Sequence, residues 1–214
     1  MTSEIANLRL EYSRQILLEK DVAANPVDQF DQWWKQALAS EIVEPNAMTL
    51  ATASCDGIPA ARIVLLKEFD KRGFVFFSNY KSYKGLQLEE NPKACLVFFW
   101  KELERQVRIV GLVNKLTIAQ SDEYFSSRPQ GSKIGAVASP QSQVIKSREW
   151  LDEQYQSLAT SNENGSIQRP AHWGGYLVQP VVMEFWQGRP SRLHDRIQYT
   201  LEDSGAWKME RLAP

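Results

Sequence analysis

The feature of the sequence that most constrains its fold is a run of short apolar segments joined by turn residues. From Met48 the chain reads "MTLATAS", "AARIVLLKEF" and "FVFFSN", with "CDGIP" and "DKRG" between them. Such segments, separated by glycine-containing turns, are typical of strands joined in hairpins. Further strands are predicted in "KACLVFFW", "ERQVRIVGLVNKLT", "GGYLVQPVVMEFWQG", "SRLHDRIQYTLE" and "AWKMERL". The pattern predicts a closed or partly closed antiparallel barrel with peripheral helices.

Helices are predicted at the start of the chain and between groups of strands. Ser3 can cap a first helix, and Asn25 followed by Pro26 places a cap and a proline at the start of a second. The segment "SYKGLQLEEN" and most of residues 119–161 are also expected to be helical, with loops at "SRPQGSKIG" and "SPQSQ". The length predicts one domain over residues 1–214, with a helical segment over about residues 1–45 and final strands over about residues 172–214.

Composition and charge exclude several classes of protein. The chain has 25 Lys and Arg residues against 26 Asp and Glu residues, so it lacks a strong basic field and we expect no nucleic-acid partner. The N-terminal residues are charged throughout and nowhere do 18 uncharged apolar residues run together, so we expect a cytoplasmic protein without membrane attachment. Cys55 and Cys95 are predicted to be two buried free thiols, and no metal site is expected.

Several nucleotide-binding and hydrolase motifs are missing from the sequence. The 11 glycines never form G-x-G, and neither HExxH nor GxSxG occurs. Cationic residues near strand ends stand out instead, beginning with Arg62 and Lys67 in "ARIVLLK". Because these two are five residues apart, a regular strand directs them to opposite faces. Either the two residues bind two different anions, or one of them is functional and the other is solvated.

Two further segments contain residue types found in phosphate sites. "SNYKSYK" follows a strand and opens a helix, with Ser82 as the cap and Lys84 in the first turn. "EYFSSRPQGSK" places Tyr124, Arg128 and Ser132 within nine residues. The first segment also describes a plain capped surface helix and the second a solvated loop, so both alternatives stay open.

The segment "RLHDR" concentrates positive charge near the C-terminus. In a strand, Arg192, His194 and Arg196 share one face, whereas the two residues between them point away and are expected to serve the fold. Neighbours on one face are about 6.5 to 7 Å apart, so these groups repel one another unless an anion, or a carboxylate from elsewhere, neutralises them. Trp186, just upstream, can supply a flat apolar wall, and we therefore favour a binding site.

Seven segments, in order, resemble those of the pyridoxamine 5′-phosphate oxidase family. They are "RIVLLK", "ERQVRIVG", "YFSSRPQGSKIGAVASPQS", "HWGGY", "EFWQG", "RLHDR" and "ERLAP", and the resemblance runs from about Leu8 to the last residue. It implies a mainly β protein with peripheral helices, an FMN-binding split β-barrel of antiparallel, Greek-key type. It also implies a homodimer, formed through the C-terminal strands, with FMN at the subunit interface.

The resemblance further implies which residues bind the ligands. FMN would be contacted by Arg62, Ile63, Val64, Leu65, Leu66, Lys67, Phe77, Ser78, Lys84, Gln106, Trp186 and Arg196, and by Gln141 of the partner subunit and Ser142 of the partner subunit. The substrate would be contacted by Arg9, Tyr12, Lys67, Tyr124, Arg128, Ser132, Arg192 and His194. Arg192 and His194 are the implied catalytic residues, and Arg9 and Tyr12 belong to an N-terminal segment that can cover the site.

The implied reaction is the oxidation of pyridoxamine or pyridoxine 5′-phosphate by O2 to pyridoxal 5′-phosphate, in vitamin B6 synthesis and salvage. Hydrogen peroxide is released, and ammonia as well from the amine. Arg192 and His194 would orient the pyridine ring and manage the proton that the amine or alcohol loses. The alternatives are a non-catalytic FMN- or pyridoxal-phosphate-binding protein and a flavin reductase. The complete set of implied substrate residues favours the oxidase over both.

Three positions depart from the family pattern. Tyr83 stands where an arginine is usual, which removes one cation from the FMN phosphate and predicts weaker FMN binding unless another group compensates. Phe77 replaces a common tyrosine, which costs little if the backbone alone contacts the cofactor. Leu10 replaces a second arginine beside Arg9, which thins the charge on the N-terminal segment.

Overall fold

The computed structural model describes residues 11–162 and 167–214. The α-helices of these residues are α1 (Pro26–Leu38), α2 (Tyr83–Glu90), α3 (Ile118–Ser127), α4 (Gln130–Ala138) and α5 (Arg148–Ser161). Their strands are β1 (Ala47–Ala53), β2 (Pro59–Leu65), β3 (Glu68–Asp70), β4 (Gly73–Asn79), β5 (Lys93–Trp100), β6 (Arg105–Lys115), β7 (Trp173–Gln187), β8 (Asp195–Leu201) and β9 (Trp207–Leu212). Short 3₁₀ turns lie at Glu19–Asp21, Lys101–Leu103 and Pro190–Arg192.

The strands form one sheet in which hairpin neighbours pair. Its order is β2-β1-β5-β6-β7-β4-β3, and β8 pairs with β7 and β9 with β8. The pairs β3–β4, β4–β7, β7–β8 and β8–β9 are antiparallel. Strand β7 is 15 residues long and pairs with β4 through its first half and with β8 through its second. The hairpin pattern of the sequence therefore predicted the type of sheet correctly.

The chain divides into two compact units. Of the described residues, the terminal unit contains those up to 49 together with 95–111 and 180–214, and the central unit contains 50–94 and 112–179. Strands β2, β3 and β4 belong to the central unit and β8 and β9 to the terminal unit. Strands β1, β5, β6 and β7 each contribute residues to both.

Helix α1 supplies much of the core of the terminal unit. Asn25 caps it, because its side chain accepts a hydrogen bond from the Val27 N–H at 2.9 Å, and Pro26 occupies the first helical position. Phe30 and Trp33 are buried, and their rings lie 5.1 Å from Phe98 and 5.3 Å from Phe185, respectively. The apolar side of this helix thus packs into the core, whereas Leu38, at its end, is 57% exposed.

The core of the central unit is built around β4. Phe74 and Phe76 are fully buried, and Phe76 stacks on Tyr176 of β7 at 5.2 Å between ring centroids. Gly73, which starts the strand, has φ of 144°, and a Cβ there would collide with the Val178 carbonyl oxygen. A glycine is therefore required where the turn after β3 enters β4.

Two segments differ from the predicted secondary structure. Residues 11–18 contain no helix, so the predicted first helix is wrong over this part, while Ser3 lies outside the described residues. The predicted loop "SRPQGSKIG" is in large part helix α4, which Pro129 precedes. Proline suits a helix start because the first N–H groups of a helix need no partner within it, so its presence indicated a helix boundary here and not a loop.

The two cysteines are free but are not both buried. Cys55 is exposed in the turn after β1, and Cys95 on β5 is partly buried. The prediction of two buried thiols is therefore wrong for Cys55, which belongs to the turn "CDG" and not to a strand.

Candidate active site

A cavity of about 810 Å³ in the central unit collects many of the residues predicted to bind ligands. It is formed by the C-terminal halves of β2 and β4, the start of α2 and the connection between α3 and α4. Its lining residues are Arg62, Ile63, Val64, Leu65, Lys67, Phe77, Ser78, Lys84, Tyr124, Ser127, Arg128, Pro129, Ser132, Gln141 and Trp173.

Arg62 is held in place by neutral oxygens of the neighbouring strand β1. Its Nη1 donates to the Leu50 carbonyl at 3.2 Å and to the Thr52 hydroxyl at 2.6 Å. The Thr52 hydroxyl in turn donates to the Gln87 side chain at 2.6 Å. Burial lowers the pKa of Arg62, and the nearby Tyr83 opposes that shift in part. These contacts fix the guanidinium without neutralising its charge.

Lys84 lies in the first turn of α2, where Ser82 caps the helix as predicted. Its Nζ donates to the Ser82 hydroxyl at 3.3 Å and to the Gln141 side chain at 3.1 Å. Burial, and then the charge of Arg62, lower the pKa of Lys84 to about 8. Two cations therefore lie close together at the start of a helix, whose free N–H groups also favour an anion.

Arg128 lies over an aromatic wall on another side of the cavity. Its guanidinium carbon is 4.5 Å from the centroid of the Trp173 ring, and Phe77 and Tyr124 stack at 3.8 Å with Trp173 nearly parallel to both. Among the described residues, the buried Nη1 of Arg128 has no hydrogen-bond partner. Burial also lowers the pKa of this arginine. An unpartnered buried donor marks a place where a ligand atom can bind.

The charge of this cavity is one-sided. Its lining includes four cations, Arg62, Lys67, Lys84 and Arg128, and none of the described residues that line it is an aspartate or glutamate. A second cavity of about 580 Å³ shares Lys67, Phe77, Tyr124 and Ser127, but two glutamates also line it and offset part of the charge of its three cations. The larger cavity is thus the one whose chemistry selects an anion.

Three aromatic residues form a second cluster, in the terminal unit. The Trp186 and His194 rings are 4.6 Å apart, and Tyr12 lies 5.7 Å from Trp186 and 6.0 Å from His194. The Arg189 backbone N–H donates to Nδ1 of His194 at 3.1 Å. Burial, and then the charge of Arg192, lower the pKa of His194, so the ring is neutral at pH 7 with its proton on Nε2.

Arg196 is engaged by a carboxylate of the neighbouring strand. Its Nε donates to Glu184 at 2.7 Å and its Nη1 to the Ala213 carbonyl at 2.7 Å. Arg108 pairs with the other oxygen of Glu184. Burial raises the pKa of Glu184, but the hydrogen bonds and charges of Arg196 and Arg108 outweigh burial and lower it overall. The carboxylate from elsewhere that the sequence left open as an alternative is therefore Glu184 in the case of Arg196.

The strand assumed for "RLHDR" is wrong in its first half. Ser191 and Arg192 have φ of 55° and 60° in a 3₁₀ turn, and β8 begins only at Asp195. Arg192, His194 and Arg196 therefore do not form a row on one strand face. Leu193 was expected to serve the fold but is 70% exposed, whereas Asp195 accepts a hydrogen bond from the Leu17 N–H at 3.1 Å.

The assumption of a regular strand also fails between Arg62 and Lys67. Strand β2 ends at Leu65, and Lys67 lies in the connection to β3, where its N–H donates to the Val75 carbonyl at 2.9 Å. Both cations consequently line the same cavity, although their spacing along a strand would separate them.

The remaining predicted residues are placed as follows. Leu66 and Ser142 belong to the central unit but are not among the residues that line its cavity. Gln141 does line it and reaches Lys84 of its own chain, so its assignment to the partner subunit is not needed. Gln106 lies on β6 in the terminal unit, and Arg9 lies outside the described residues.

Sequence reasoning missed Trp173 as part of the aromatic wall. The motif "HWGGY" was used only for the family resemblance, and its two glycines were the available signal. A Cβ at Gly174 or Gly175 would meet the Tyr80 or Leu116 side chains, so the chain must pass close to its neighbours here. That close approach places Trp173 at the start of β7, beside Phe77.

The sequence matches the models of a known family over most of its length. Residues 34–162 match the pyridoxamine 5′-phosphate oxidase family, and residues 173–214 match the pyridoxine 5′-phosphate oxidase C-terminal dimerisation region. The fold is a mainly β split barrel with peripheral helices, as predicted. The chain belongs to the pyridoxamine 5′-phosphate oxidase family.

Relatives and solved structures agree with this membership. A Cyanothece protein that bears the name pyridoxine/pyridoxamine 5′-phosphate oxidase is 56% identical to this chain over the full length of both. A protein of the same name from Salinibacter ruber is 54% identical, covering 99% of this chain and 100% of its own. Among solved structures, PhzG from Burkholderia lata, in complex with tetrahydrophenazine-1-carboxylic acid, is 30% identical with a TM-score of 0.88, covering 94% of this chain and 100% of its own. A pyridoxamine 5′-phosphate oxidase-related, FMN binding protein from Nostoc punctiforme has a TM-score of 0.72 at 16% identity, covering 90% of this chain and 100% of its own, and shows likeness of fold alone.

The part of the chain that the structure describes lacks two features. No helix there combines the length and apolar character needed to span a membrane. No group of three or more His, Cys, Asp or Glu side chains within residues 11–162 and 167–214 is arranged to hold a metal ion.

Proposed function

We propose that this protein uses FMN and O2 to oxidise pyridoxamine 5′-phosphate and pyridoxine 5′-phosphate to pyridoxal 5′-phosphate. Hydrogen peroxide is released, together with ammonia from the amine, and the reaction serves vitamin B6 synthesis and salvage. The family and the names of the relatives support the class of reaction. The observation that carries the proposal is the large cavity, which has four cations and no carboxylate among its described lining residues.

The charge of the cavity fits two phosphate groups. A phosphate monoester carries about −1.5 to −2 charges at neutral pH, so the phosphates of one FMN and one substrate together carry about −3 to −4. Four cations line the cavity, and the burial of Lys84 and Arg62 lowers the pKa of both. An anion bound there reverses this cost, because it favours the charged form of each group.

The FMN phosphate is assigned to Arg62 and Lys84. Arg62 on β2 and Lys84 in the first turn of α2 line the same cavity, and Ser82 and the free N–H groups of that turn add donors. Ile63, Val64 and Leu65 of β2 and Phe77 and Ser78 of β4 supply the strand edge and apolar surface for the flavin. These residues would hold FMN, which would supply the hydride-accepting chemistry of the reaction and its reoxidation by O2.

The substrate phosphate is assigned to the other group of donors, namely Lys67, Tyr124, Arg128 and Ser132. The unpartnered Nη1 of Arg128 is the donor that most needs a ligand oxygen. Its stacking over Trp173 fixes the guanidinium plane, and a fixed plane suits recognition of a phosphate through two hydrogen bonds. These residues bind and orient the substrate, which lowers the barrier by holding the reacting atoms together.

His194 and Arg192 are assigned to the pyridine ring of the substrate. Because Nδ1 of His194 accepts the Arg189 N–H, the neutral ring carries its proton on Nε2, which is therefore a hydrogen-bond donor. We therefore assign His194 to orienting the ring as a donor, in place of the proton-accepting role that its ordinary pKa suggests. Arg192 follows Ser191, and both have a left-handed conformation that costs free energy, a cost often found at functional sites.

We also propose a homodimer with FMN at the subunit interface. The match of residues 173–214 to a dimerisation region supports this assembly. Within this proposal the large cavity is assigned to the substrate phosphate, and the cluster of Tyr12, Trp186 and His194 to the pyridine ring. Trp186 and Arg196 are assigned to the flavin, and Glu184 then limits the freedom of Arg196.

The proposal is tested by purifying the protein, saturating it with FMN and adding pyridoxine 5′-phosphate in air. We expect pyridoxal 5′-phosphate and hydrogen peroxide in equal amounts. Failure to form either product at saturating FMN would falsify the oxidase function. A protein that binds FMN tightly and binds pyridoxal 5′-phosphate without turnover is instead a carrier.

Two substitutions separate the roles within the site. Arg62→Ala should weaken FMN binding, and Arg192→Ala should impair turnover while FMN stays bound. Both are measured by flavin fluorescence titration and by initial rates. If both variants differ from the wild type only in thermal stability, the division of roles is wrong.

A further inference from the structure

The N-terminal segment of residues 12–18, here called the strap, is held by side chains instead of by secondary structure. The Ser13 and Arg14 N–H groups donate to Oε2 of Glu104 at 2.9 Å and 3.0 Å. Further along the strap, the Leu17 N–H donates to Asp195 at 3.1 Å, and its carbonyl accepts from Arg211 at 2.9 Å. These side chains, distant in sequence, satisfy backbone groups that a helix would otherwise satisfy.

Glu104 is an unusual residue for the position it occupies. It ends the 3₁₀ turn Lys101–Leu103 with φ of 53° and ψ of 41°, a left-handed conformation that glycine and asparagine adopt at lower cost. A glutamate there is disfavoured by the backbone, so its presence needs another reason. Its carboxylate supplies one, because it accepts both N–H groups at the start of the strap.

The next residue reinforces the same end of the strap. Arg105 is buried, and its guanidinium donates to the side chains of Gln15, Gln36 and Gln187, the last at 2.9 Å. Burial lowers its pKa to about 10. Because Gln15 belongs to the strap, consecutive residues at the start of β6 hold three consecutive strap residues.

These contacts place Tyr12 in the aromatic cluster. Tyr12 precedes Ser13 and lies against Trp186 and His194. Gly188 also lies against Tyr12, because a Cβ there would come within 2.7 Å of Cβ and Cγ of Tyr12. The Gly188 N–H donates to the Glu104 carbonyl at 2.7 Å, so Glu104 binds both the strap and the strand end on which Tyr12 rests.

We propose that Glu104 is a positioning residue that holds Tyr12 beside His194 by fixing the strap. The inference rests on the proposed function, because it assigns the Tyr12–Trp186–His194 cluster to the substrate. Glu104 itself does not touch that cluster through its carboxylate and takes no part in the reaction. Its effect is on how well substrate is bound, so it acts on KM and leaves kcat largely unchanged.

The test compares Glu104→Asn with Glu102→Gln, in the FMN-saturated protein. Asparagine tolerates the left-handed backbone but is too short to reach the strap, whereas Glu102→Gln removes the same charge from an exposed residue of the same turn. We expect Glu104→Asn to raise KM for pyridoxine 5′-phosphate by about 3- to 10-fold, with kcat changed less than about twofold. Glu102→Gln should leave both unchanged.

Amide hydrogen exchange measured on a peptide containing residues 12–18 gives a readout independent of turnover. Exchange in this peptide should become faster in Glu104→Asn and stay as in the wild type in Glu102→Gln. Unchanged exchange in Glu104→Asn overturns the proposal, as does faster exchange with an unchanged KM. If the wild-type protein binds FMN without oxidising the substrate, the proposed function is wrong, and so is the role of Glu104 in substrate binding. Hydrogen exchange still decides whether Glu104 holds the strap.

Gly188→Ala is a second variant, which acts on Tyr12 directly and not through Glu104. Its added methyl group displaces Tyr12 while the Glu104 carboxylate is retained. We expect a rise in KM similar to that of Glu104→Asn, but with slower exchange at the strap than in Glu104→Asn. A wild-type KM in Gly188→Ala, with Tyr12 shifted according to its fluorescence or its crystal structure, contradicts the role of Tyr12 at the site.

Discussion

Arginines paired with carboxylates in the terminal unit and the cations that line the large cavity of the central unit are stabilised in opposite ways. In the terminal unit, Arg196 pairs with Glu184, and Arg211 pairs with Glu19 and Asp195. In the central unit, the hydrogen bonds that Arg62 makes among the described residues go to a carbonyl and a hydroxyl. The terminal arginines are therefore satisfied by the fold, whereas the cavity is left with positive charge.

The pKa shifts follow this division. Hydrogen bonds to carboxylates raise the pKa of Arg196 and Arg211, while burial lowers the pKa of Arg62 and Lys84. Arg105 is the exception in the terminal unit, because neutral glutamines surround it and burial lowers its pKa to about 10. An arginine that pairs with a carboxylate stabilises the fold. A cation that lines a cavity without a carboxylate is instead available to bind a ligand.

The largest expected effect is on stability, from removing the carboxylate shared in the terminal unit. Glu184→Ala leaves Arg108 and Arg196 without their common partner, and we expect the free energy of unfolding to fall by about 3 kcal/mol. The measurement is urea unfolding of the protein without FMN. The matched control is Glu89→Ala, which removes an exposed carboxylate from an ion pair with Lys115 and should cost much less. Equal losses in the two variants contradict the view that Glu184 serves the fold.

A cavity cation should behave in the reverse way. Arg128→Ala removes a guanidinium whose buried Nη1 has no partner among the described residues, so we expect a change in the free energy of unfolding below about 1 kcal/mol. It also removes charge-assisted hydrogen bonds to the substrate phosphate, and kcat/KM should fall by about 10- to 150-fold. Arg128→Lys keeps the charge but loses the stacking on Trp173, and should recover only part of the loss. A large loss of stability with unchanged kcat/KM places Arg128 with the structural arginines.

The pH dependence of FMN binding tests the cavity more finely. Burial, and then the charge of Arg62, lower the pKa of Lys84 in the folded, ligand-free protein to about 8, well below the ordinary pKa of a lysine. Above pH 8 the lysine loses its proton, so FMN affinity should fall by up to about tenfold per pH unit. In the same window the ligand-free protein should gain stability, because the unfolded state binds the extra proton between pH 8 and the ordinary pKa.

Lys84→Arg provides the control, since arginine keeps its charge throughout this range. The slope of FMN affinity against pH should flatten in this variant. If FMN affinity falls with the same slope above pH 8 in wild type and in Lys84→Arg, a group other than Lys84 titrates in this range. The gain in stability of the ligand-free protein should then persist in Lys84→Arg as well.

Local sequence patterns predicted most of the fold and part of the site. Hairpin turns, alternating apolar residues and the caps at Asn25 and Ser82 are short-range signals, and the structure confirms the strands and helices they predict. The grouping of Tyr124, Arg128 and Ser132 was visible because these residues are close in sequence. Their position in one cavity with Arg62 and Lys84 depends on pairing between distant strands and could be inferred only from the family resemblance.

Arguments from strand periodicity failed where the chain leaves the strand. Lys67 and Arg192 were both assigned to regular strands, yet one follows the end of β2 and the other lies in a left-handed turn. The residues that keep segment 11–18 from being a helix are equally remote in sequence, since Glu104 and Asp195 bind its N–H groups. These partners are about 90 residues or more away in sequence from the backbone groups they bind. Contacts so distant in sequence produce no periodic pattern that could predict the local structure.

The smallest expected effect concerns Tyr83, which stands beside Arg62 at the first position of α2 and is 50% exposed. Tyr83→Arg adds a cation to a site that already has Arg62 and Lys84, but solvent screens a charge this exposed, so FMN affinity should rise only about two- to fivefold. Glu90→Gln changes the net charge equally at the other end of the helix and should leave the affinity unchanged. The gain in Tyr83→Arg should disappear at high salt. An unchanged FMN affinity at low salt shows that Arg62, Lys84 and the helix start already neutralise the phosphate. An increase above tenfold shows that residue 83 lies nearer to the phosphate than its exposure suggests.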